Sequence, residues 1–323
     1  MKQITKKQHY IWRNYLAPWT SNNSNEGRIA CLRNNKIFTT SLMNIAHENF
    51  FYGVKELSQP ERHLIHKIAI EKTQGMQRRI NEGWLQLYCS LFDMADRIAS
   101  FNYLTRGYSN RDEILENQDF KDWNAELVES LHGKIELSGL QYLALLRENK
   151  LDFWQKESDR EKFSFYIANQ YFRTKKIRDG IKNACEICKN QSEAFSEIRP
   201  DNIWIPLTLI FASNVGVYIS QEFSSILLQA PDDNYFIVGD QPVVNTYSTF
   251  DIQTVPEDVE FYYPITPRSA LLLTKERKEM NSPILSITPD EVKKYIKKER
   301  QVIKIFLKSY AQYPKPDYSM CLA

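Results

Sequence analysis

The chain has 323 residues, 42 Lys and Arg against 40 Asp and Glu, a net charge of +2, 42% hydrophobic residues and 10 Gly. This composition excludes collagen-like, disordered and disulfide-scaffold proteins, and the low net charge excludes a globally basic nucleic-acid-binding protein but not a local basic groove. Gly at about 3%, against a usual ~7%, favours a helix-rich chain, and the length is ample to bury a core.

The first segment, residues 1–60, is predicted to mix short elements. Residues 28–33 and 36–40 flank Asn34-Asn35, a tight-turn signal, and therefore predict a β-hairpin. The basic N-terminus has no apolar run after it, so we expect no secretory signal. Five Cys without framework spacing favour reduced thiols, and a cytoplasmic location is expected.

The second segment, residues 61–230, is predicted to be helical. Leu64, Ile65 and Ile68 follow helical spacing. Residues 112–129 hold seven acidic residues against one Lys, which predicts a solvated helix face. Residues 163–190 predict another long helix, rich in Lys and Arg.

A run without formal charge, residues 202–221, is long enough to cross a bilayer. It contains Pro206, Ser213 and Asn214, and no adjoining Lys or Arg cluster would set an orientation. These features favour a buried core helix over a membrane span, so no membrane association is expected.

The third segment, residues 231–323, is predicted to form strands over residues 235–239, 261–266 and 270–274, with a last helix starting after Thr288. Residues 291–308 carry seven Lys or Arg against two Glu. We expect a single large α+β unit over residues 1–323, with a predominantly helical middle. A small mixed or antiparallel sheet would combine the N-terminal hairpin and the C-terminal strands.

Several catalytic motifs are absent from the sequence: G-x-G-x-x-G, G-x-x-x-x-G-K-[ST], G-x-S-x-G and H-E-x-x-H. Rossmann dehydrogenases, P-loop nucleotide hydrolases, α/β-hydrolases and zincins therefore have no support. Cys185-x-x-Cys188 lacks a second ligand pair, which favours an ordinary helix with two thiols over a zinc site.

Five segments in order resemble the family catalogued as domain of unknown function 4238, and together they run from residue 8 to about residue 274. Gln-His-Tyr-Ile at residues 8–11 resembles its opening Gln-His-Tyr-Val-Pro, with Trp12 in place of the Pro. Residues 166–178 resemble its Gln-x-x-Arg-Thr-x-x-x-Arg helix. Phe-Ile-Val-Gly-Asp-Gln-Pro-Val at residues 236–243 resembles its Ser-Asp-Asn-Pro-Val turn, with Gly239 and Gln241 replacing Ser and Asn. Residues 46–52 and 263–272 match two further stretches. The resemblance implies no reaction.

The matched segments place polar residues in apolar or aromatic contexts, where charges are rarely buried unless they are paired. We therefore expect them to converge on one centre. The residues concerned are Gln8, His9, Tyr10, Glu48, Gln170, Arg173, Arg178, Asp240 and Arg268.

The functional hypothesis is a nuclease-like hydrolase that acts on nucleic acid, as a toxic effector in a bacterial defence or conflict system. His9 would be the general acid or base. Asp240 would orient it or bind a divalent metal ion with Glu48, and Arg173 would hold phosphate oxygens. The remaining substrate-binding residues would be Gln8, Tyr10, Gln170, Arg178 and Arg268. Basic helices over residues 173–189 and 293–308 would attract the nucleic-acid backbone.

The alternative is a non-enzymatic interaction or regulatory protein whose polar centre is structural. Arg173 would then pair with Asp240 or Glu48, and His9 would donate to a backbone carbonyl. The basic C-terminal helix would dock a protein partner or a second copy of the chain.

Overall fold

The computed structural model describes residues 7–33, 36–100, 110–248, 256–275, 284–302 and 306–308. Within these ranges the protein has a long helical middle between two groups of strands, so the predicted α+β class is confirmed.

The N-terminal region forms a small layer of strands over the helices. Its elements are β1 (Lys7–His9), α1 (Arg13–Leu16), β2 (Arg28–Arg33), β3 (Lys36–Ser41) and β4 (His47–Asn49). β2 and β3 form the predicted hairpin, whose Asn34-Asn35 turn lies outside the described residues. β1 pairs antiparallel with β4.

Two buried aromatic residues fasten this region to the far end of the chain. The hydroxyl of Tyr15 donates to the carbonyl of Pro264 at 2.8 Å, and the indole of Trp19 donates to the carbonyl of Phe236 at 3.2 Å. The Tyr15 ring also stacks on Tyr263, with 4.7 Å between the ring centroids.

The helical middle contains seven α-helices among the described residues. They are α2 (Gln59–Ile65), α3 (Gly75–Ser100), α4 (Arg111–Glu116), α5 (Gln118–Arg147), α6 (Glu157–Phe172), α7 (Lys175–Gln191) and α8 (Pro200–Glu222). The predicted helical region extended to residue 230, but residues 224–229 form a strand instead. The side chains at the centre of this strand are buried, and its backbone pairs with a neighbouring strand.

The prediction of a single helix over residues 163–190 is wrong, because α6 ends at Phe172 and a second helix, α7, begins at Lys175. Thr174 has an extended backbone, and its hydroxyl accepts a hydrogen bond from the amide of Ile177 at 3.4 Å, which starts α7 as an N-cap. The break leaves Arg173 between two helices, with its side chain in the interior.

The uncharged run forms α8, as predicted. This helix is long and apolar enough to cross a membrane, but 72% of its most apolar stretch is buried inside the protein. It packs closely on α6. A Cβ on Gly216 would lie 3.0 Å from the Cα of Phe165, so a larger residue there would push the two helices apart.

The C-terminal region carries the remaining strands and one helix. These are β5 (Ser224–Gln229), β6 (Val238–Gly239), β7 (Val244–Asn245), β8 (Phe261–Thr266), β9 (Ser269–Thr274), β10 (Ile284–Ser286), α9 (Pro289–Val302) and β11 (Phe306–Lys308). One sheet has the order β10-β5-β9-β8-β7, and a second has the order β3-β2-β11-β6. The expected single sheet is therefore split, because β5 pairs along its full length with β9 and closes a sheet that excludes the hairpin.

The basic helix predicted over residues 293–308 is shorter than expected. It begins after Thr288, which forms a capping box with Glu291, and it ends at Val302. Residues 306–308 form β11, which is hydrogen-bonded between β2 and β6. Cys185 and Cys188 lie on α7 as free thiols.

Candidate active site

Gln8 connects β1 to the helical middle. Its side chain is buried, with Nε2 donating to the carbonyl of Ala125 at 3.3 Å and Oε1 accepting from the amide of Tyr52 at 2.7 Å. Both functional groups of this predicted substrate-binding side chain are therefore engaged inside the protein.

The guanidinium of Arg173 lies at the centre of the candidate site. Arg173 is 3% exposed, its Nη2 donates to the backbone carbonyl of His9 at 2.6 Å, and its Nη1 lies 2.5 Å from Oε1 of Glu136. Burial disfavours the charged guanidinium, but Glu136, Tyr52 and Glu129 outweigh burial and raise the pKa of Arg173. The expected partners, Asp240 or Glu48, are incorrect, since Glu136 on α5 occupies that role.

Three residues of α5 face Arg173 from one side of the helix. Glu129, His132 and Glu136 are spaced by three and four positions, so their side chains share a face. We call these three residues, together with His9 and Arg173, the Arg173 centre. The sequence prediction did not include the three α5 residues. Asp122 and Glu129 belong to the stretch expected to be a solvated face, yet Asp122 is buried and Glu129 is partly buried.

Glu129, like Glu136, is a carboxyl of the centre whose pKa is raised by burial. Burial raises the pKa of Glu129 to about 7, against the opposing effect of the Arg173 charge, and the neighbouring Glu136 adds to the rise. Its Oε2 is buried and has no hydrogen-bond partner among the described residues. At neutral pH this carboxyl is about half ionised, which suits either direction of proton transfer.

Both histidines of the centre are neutral at pH 7. Burial, with the nearby charges of Arg13 and His47, lowers the pKa of His9 to about 4. The imidazole of His9 hydrogen-bonds the backbone of Leu42, while its Nε2 is buried without a partner among the described residues. Burial also lowers the pKa of His132 well below its ordinary value, and its ring packs on Tyr52 with 4.4 Å between centroids.

Glu48 and Arg178 form a second, less buried cluster next to the centre. The carboxylate of Glu48 lies 2.7 Å from Nη1 of Arg178 and 3.1 Å from Nζ of Lys175, and the Arg178 guanidinium sits 4.6 Å above the Phe51 ring centroid. Burial alone would raise the pKa of Glu48, but Arg178 and Lys175 hold it below its ordinary value. Glu48 is therefore ionised, and it fixes two cations rather than exchanging a proton.

A protein-family model described as "Protein of unknown function (DUF4238)" matches residues 7–295, from β1 into α9. The chain belongs to the DUF4238 family. The resemblance carried by the short motifs is thereby confirmed, and this family description names no reaction. No curated protein and no solved structure matches the chain.

The turn that follows β6 in this DUF4238 protein is fixed by Gln241, where the family motif has Asn. The buried amide of Gln241 accepts from the Thr174 hydroxyl at 2.5 Å and donates to the carbonyls of Tyr171 and Val243, both at 3.0 Å. Asp240, one residue earlier, is half-buried on the same turn. The turn therefore lies against the break between α6 and α7.

The Tyr10 side chain lies near the carboxylates of Asp240 and Glu48. Burial first, then Asp240 and Glu48, raise the pKa of Tyr10, so its hydroxyl stays protonated. Tyr10 also packs on Phe51, with 5.2 Å between ring centroids.

Two predicted residues differ in how they relate to the centre. Gln170 lies on α6, one helical turn before Arg173, is fully buried, and its amide has no hydrogen-bond partner among the described residues. Arg268 lies in the β8–β9 turn, where its guanidinium donates to the carbonyl of Pro231 and to the carboxylate of Asp232, both at 2.8 Å. Its contacts are with the loop after β5 rather than with the Arg173 centre.

The candidate metal ligands do not form a metal centre in the part of the chain that the structure describes. No three His, Cys, Asp or Glu side chains there are arranged to hold a metal ion. Glu48, which would bind a metal ion with Asp240 in one of the two roles considered for Asp240, forms ion pairs with Arg178 and Lys175.

Proposed function

We propose that this DUF4238 protein is a hydrolase that acts on nucleic acid, with Glu129 as its acid–base group. The observation that carries the proposal is the carboxyl of Glu129, whose pKa of about 7 and free Oε2 adjoin the fixed positive charge of Arg173. Strongly perturbed carboxyls of this kind are concentrated at functional sites.

The proposed step is the attack of a water molecule on a phosphodiester. Ionised Glu129 accepts the water proton as the new P–O bond forms, and protonated Glu129 can return a proton to the leaving oxygen when the old P–O bond breaks. The free Nε2 of neutral His9 is available to accept a hydrogen bond from the water. Arg178 and Lys175, held by Glu48, provide cations at the edge of the site for phosphate oxygens.

The test is hydrolysis of end-labelled single-stranded RNA and DNA by the wild type, Glu129→Gln and the exposed control Glu161→Gln. General acid–base catalysis contributes about 10²–10⁴-fold, so we expect Glu129→Gln to lose at least about 100-fold in kcat while the control stays at the wild-type rate. The pH–rate inflection near 7 should vanish in Glu129→Gln. Full activity in that variant would refute the proposal.

A second candidate is the non-enzymatic interaction or regulatory protein, which the almost complete burial and pairing of Arg173 favours. Buried Arg–carboxylate pairs can be purely structural. Absence of cleavage by the wild type, together with loss of folding in Arg173 variants, would support this candidate.

A further inference from the structure

A pocket of about 440 Å³ opens beside the Arg173 centre, along the same face of α5. The pocket is lined by Gln118, Asp122 and Ala125 of α5. These residues are three or four positions apart and share a helix face with Glu129, one turn further along. Gln8, the chain neighbour of His9, donates to the carbonyl of Ala125 in this lining and so connects the pocket wall to the Arg173 centre. The volume is within the range of small-molecule sites, roughly 300–1,000 Å³.

Three cations line this pocket. Arg178 is held by Glu48, Lys121 lies 2.5 Å from Glu116, and the exposed ammonium of Lys55 makes no ion pair with any residue that the structure describes. Lys55 can therefore turn its ammonium to a ligand without breaking an ion pair, although its charge also acts on Asp201, and Arg178 presents a guanidinium already oriented on Phe51. Such a set favours an anionic group such as a phosphate.

Aromatic side chains form the other part of the lining. Trp204 and Phe51 pack edge to face at 5.2 Å between centroids, and Phe50 is half-buried next to them. Phe50 has a φ of +52°, a left-handed conformation that is unusual for a bulky residue, and its carbonyl accepts from the amide of Gly53 at 2.9 Å. This turn places Phe50 in the pocket lining together with the cations, where a planar ring can stack on its side chain.

Two carboxylates complete the pocket and restrict the ligand further. Asp122 accepts from Nε2 of Gln118 at 2.6 Å, and Asp201 lies 2.6 Å from Nζ of Lys182. The hydrogen bond from Lys182, with the nearby charges of Lys55 and Arg178, lowers the pKa of Asp201. Two acceptors fit the hydroxyl and amino donors of a nucleoside, and they oppose a ligand with several phosphates.

We infer that this pocket binds one nucleoside monophosphate unit, with the phosphate on Lys55 and Arg178, the base at Phe50, and the sugar near the two carboxylates. The inference rests on the proposed function, since the unit would be a terminal nucleotide of the nucleic acid whose phosphodiester reaches Glu129. It defines the substrate as a strand end rather than a paired duplex.

The experiment is calorimetric titration of the full chain with 5′-AMP, adenosine and inorganic phosphate. Because one charge-assisted contact contributes about tenfold or more in affinity, adenosine and phosphate should each bind at least about tenfold more weakly than 5′-AMP. Lys55→Ala should weaken 5′-AMP by about the same factor, while the exposed control Lys72→Ala should not. Equal binding of phosphate and 5′-AMP, no 5′-AMP binding, or unchanged binding by Lys55→Ala would overturn the inference.

Failure of this inference is distinguishable from failure of the proposed function. If 5′-AMP binding depends on Lys55 but Glu129→Gln hydrolyses nucleic acid normally, the pocket assignment holds and the catalytic one is wrong. If hydrolysis depends on Glu129 but Lys55→Ala changes neither KM nor 5′-AMP binding, the pocket assignment is wrong and the catalytic one holds.

Discussion

The guanidinium of Arg173 donates a 2.6 Å hydrogen bond to the backbone carbonyl of His9, 164 positions earlier in the chain. The same guanidinium pairs with Glu136. One side chain therefore fixes β1 to α5 at the point where α6 ends. Because Arg173 is almost completely buried, its charge acts on the titrating groups around it as a permanent part of the fold.

Removal of this charge should destabilise the protein strongly. Arg173→Met leaves Glu136 buried without its cation, and breaking such a pair costs about 3–5 kcal/mol of unfolding free energy. Urea unfolding followed by circular dichroism measures the loss. Arg178→Met is the matched control and should lose only about 1 kcal/mol, since Glu48 is a third exposed. Equal losses in the two variants would contradict a central structural role for Arg173.

Glu129→Gln should change stability in a way that depends on pH. The folded-state pKa of about 7 exceeds the ordinary value of 4.5, so between these pH values the folded state binds more protons than the unfolded state. Glu129 therefore reduces stability as pH rises through this window. The variant, which stays neutral, should match the wild type below pH 4.5 and exceed it above pH 7 by up to about 3 kcal/mol.

Urea unfolding of both proteins at pH 4, 6 and 8 tests this sign. A variant that is less stable than the wild type at pH 8 would show that the Glu129 carboxylate is well solvated or fully paired, and it would also remove the basis for its proposed catalytic role.

The hydroxyl of Thr174 should contribute more to the free energy of unfolding than the volume of the Thr174 side chain. Thr174→Val keeps the shape but removes the N-cap of α7 and leaves the buried Oε1 of Gln241 without its donor. These losses predict a decrease of about 1–3 kcal/mol in unfolding free energy. Thr174→Ser retains the hydroxyl and should lose less than half as much. Similar losses for Val and Ser would mean that packing, rather than the hydrogen bonds, fixes this position.

Two glycines of α5 should respond to Ala in opposite directions. A Cβ on Gly139 would lie 2.3 Å from the ring of Tyr166, so Gly139→Ala overpacks the core and should destabilise by about 1–3 kcal/mol or more. A Cβ on Gly133 meets no atom within 4 Å, and Gly133→Ala should stabilise the helix by up to about 1 kcal/mol. Thermal unfolding of the two variants measures both effects, and destabilisation by Gly133→Ala would contradict the open space found beside Gly133.

Local patterns predicted the elements that depend on local chemistry. The hairpin follows from two short strands around a tight-turn signal, and α8 follows from a long uncharged run. The break at Arg173 was not predictable in this way, because neither Gly nor Pro marks it. In the sequence, Thr174 cannot be distinguished from other polar residues of a basic helix. Its hydrogen bond to Gln241, 67 positions later, forms only in the folded protein.

The candidate site was predicted in part for the same reason. Nothing local distinguishes Glu136 from Glu48 or Asp240 as the partner of Arg173, since the choice depends on which helix face packs there. A helical-wheel pattern linking Glu129, His132 and Glu136 was present in the sequence. The net charge of residues 112–129 obscured it, because charge counted along a helix averages its buried and solvated faces.

The hydrogen bonds of Tyr15 and Trp19 delay the completion of the N-terminal region during synthesis. On a ribosome that adds roughly 5–20 residues per second, the carbonyl of Pro264, 249 positions after Tyr15, is made about 12–50 s later. During that interval the Tyr15 hydroxyl and the Trp19 indole lack the carbonyl groups to which they donate in the folded protein. The part of the fold that is synthesised first is thus completed among the last.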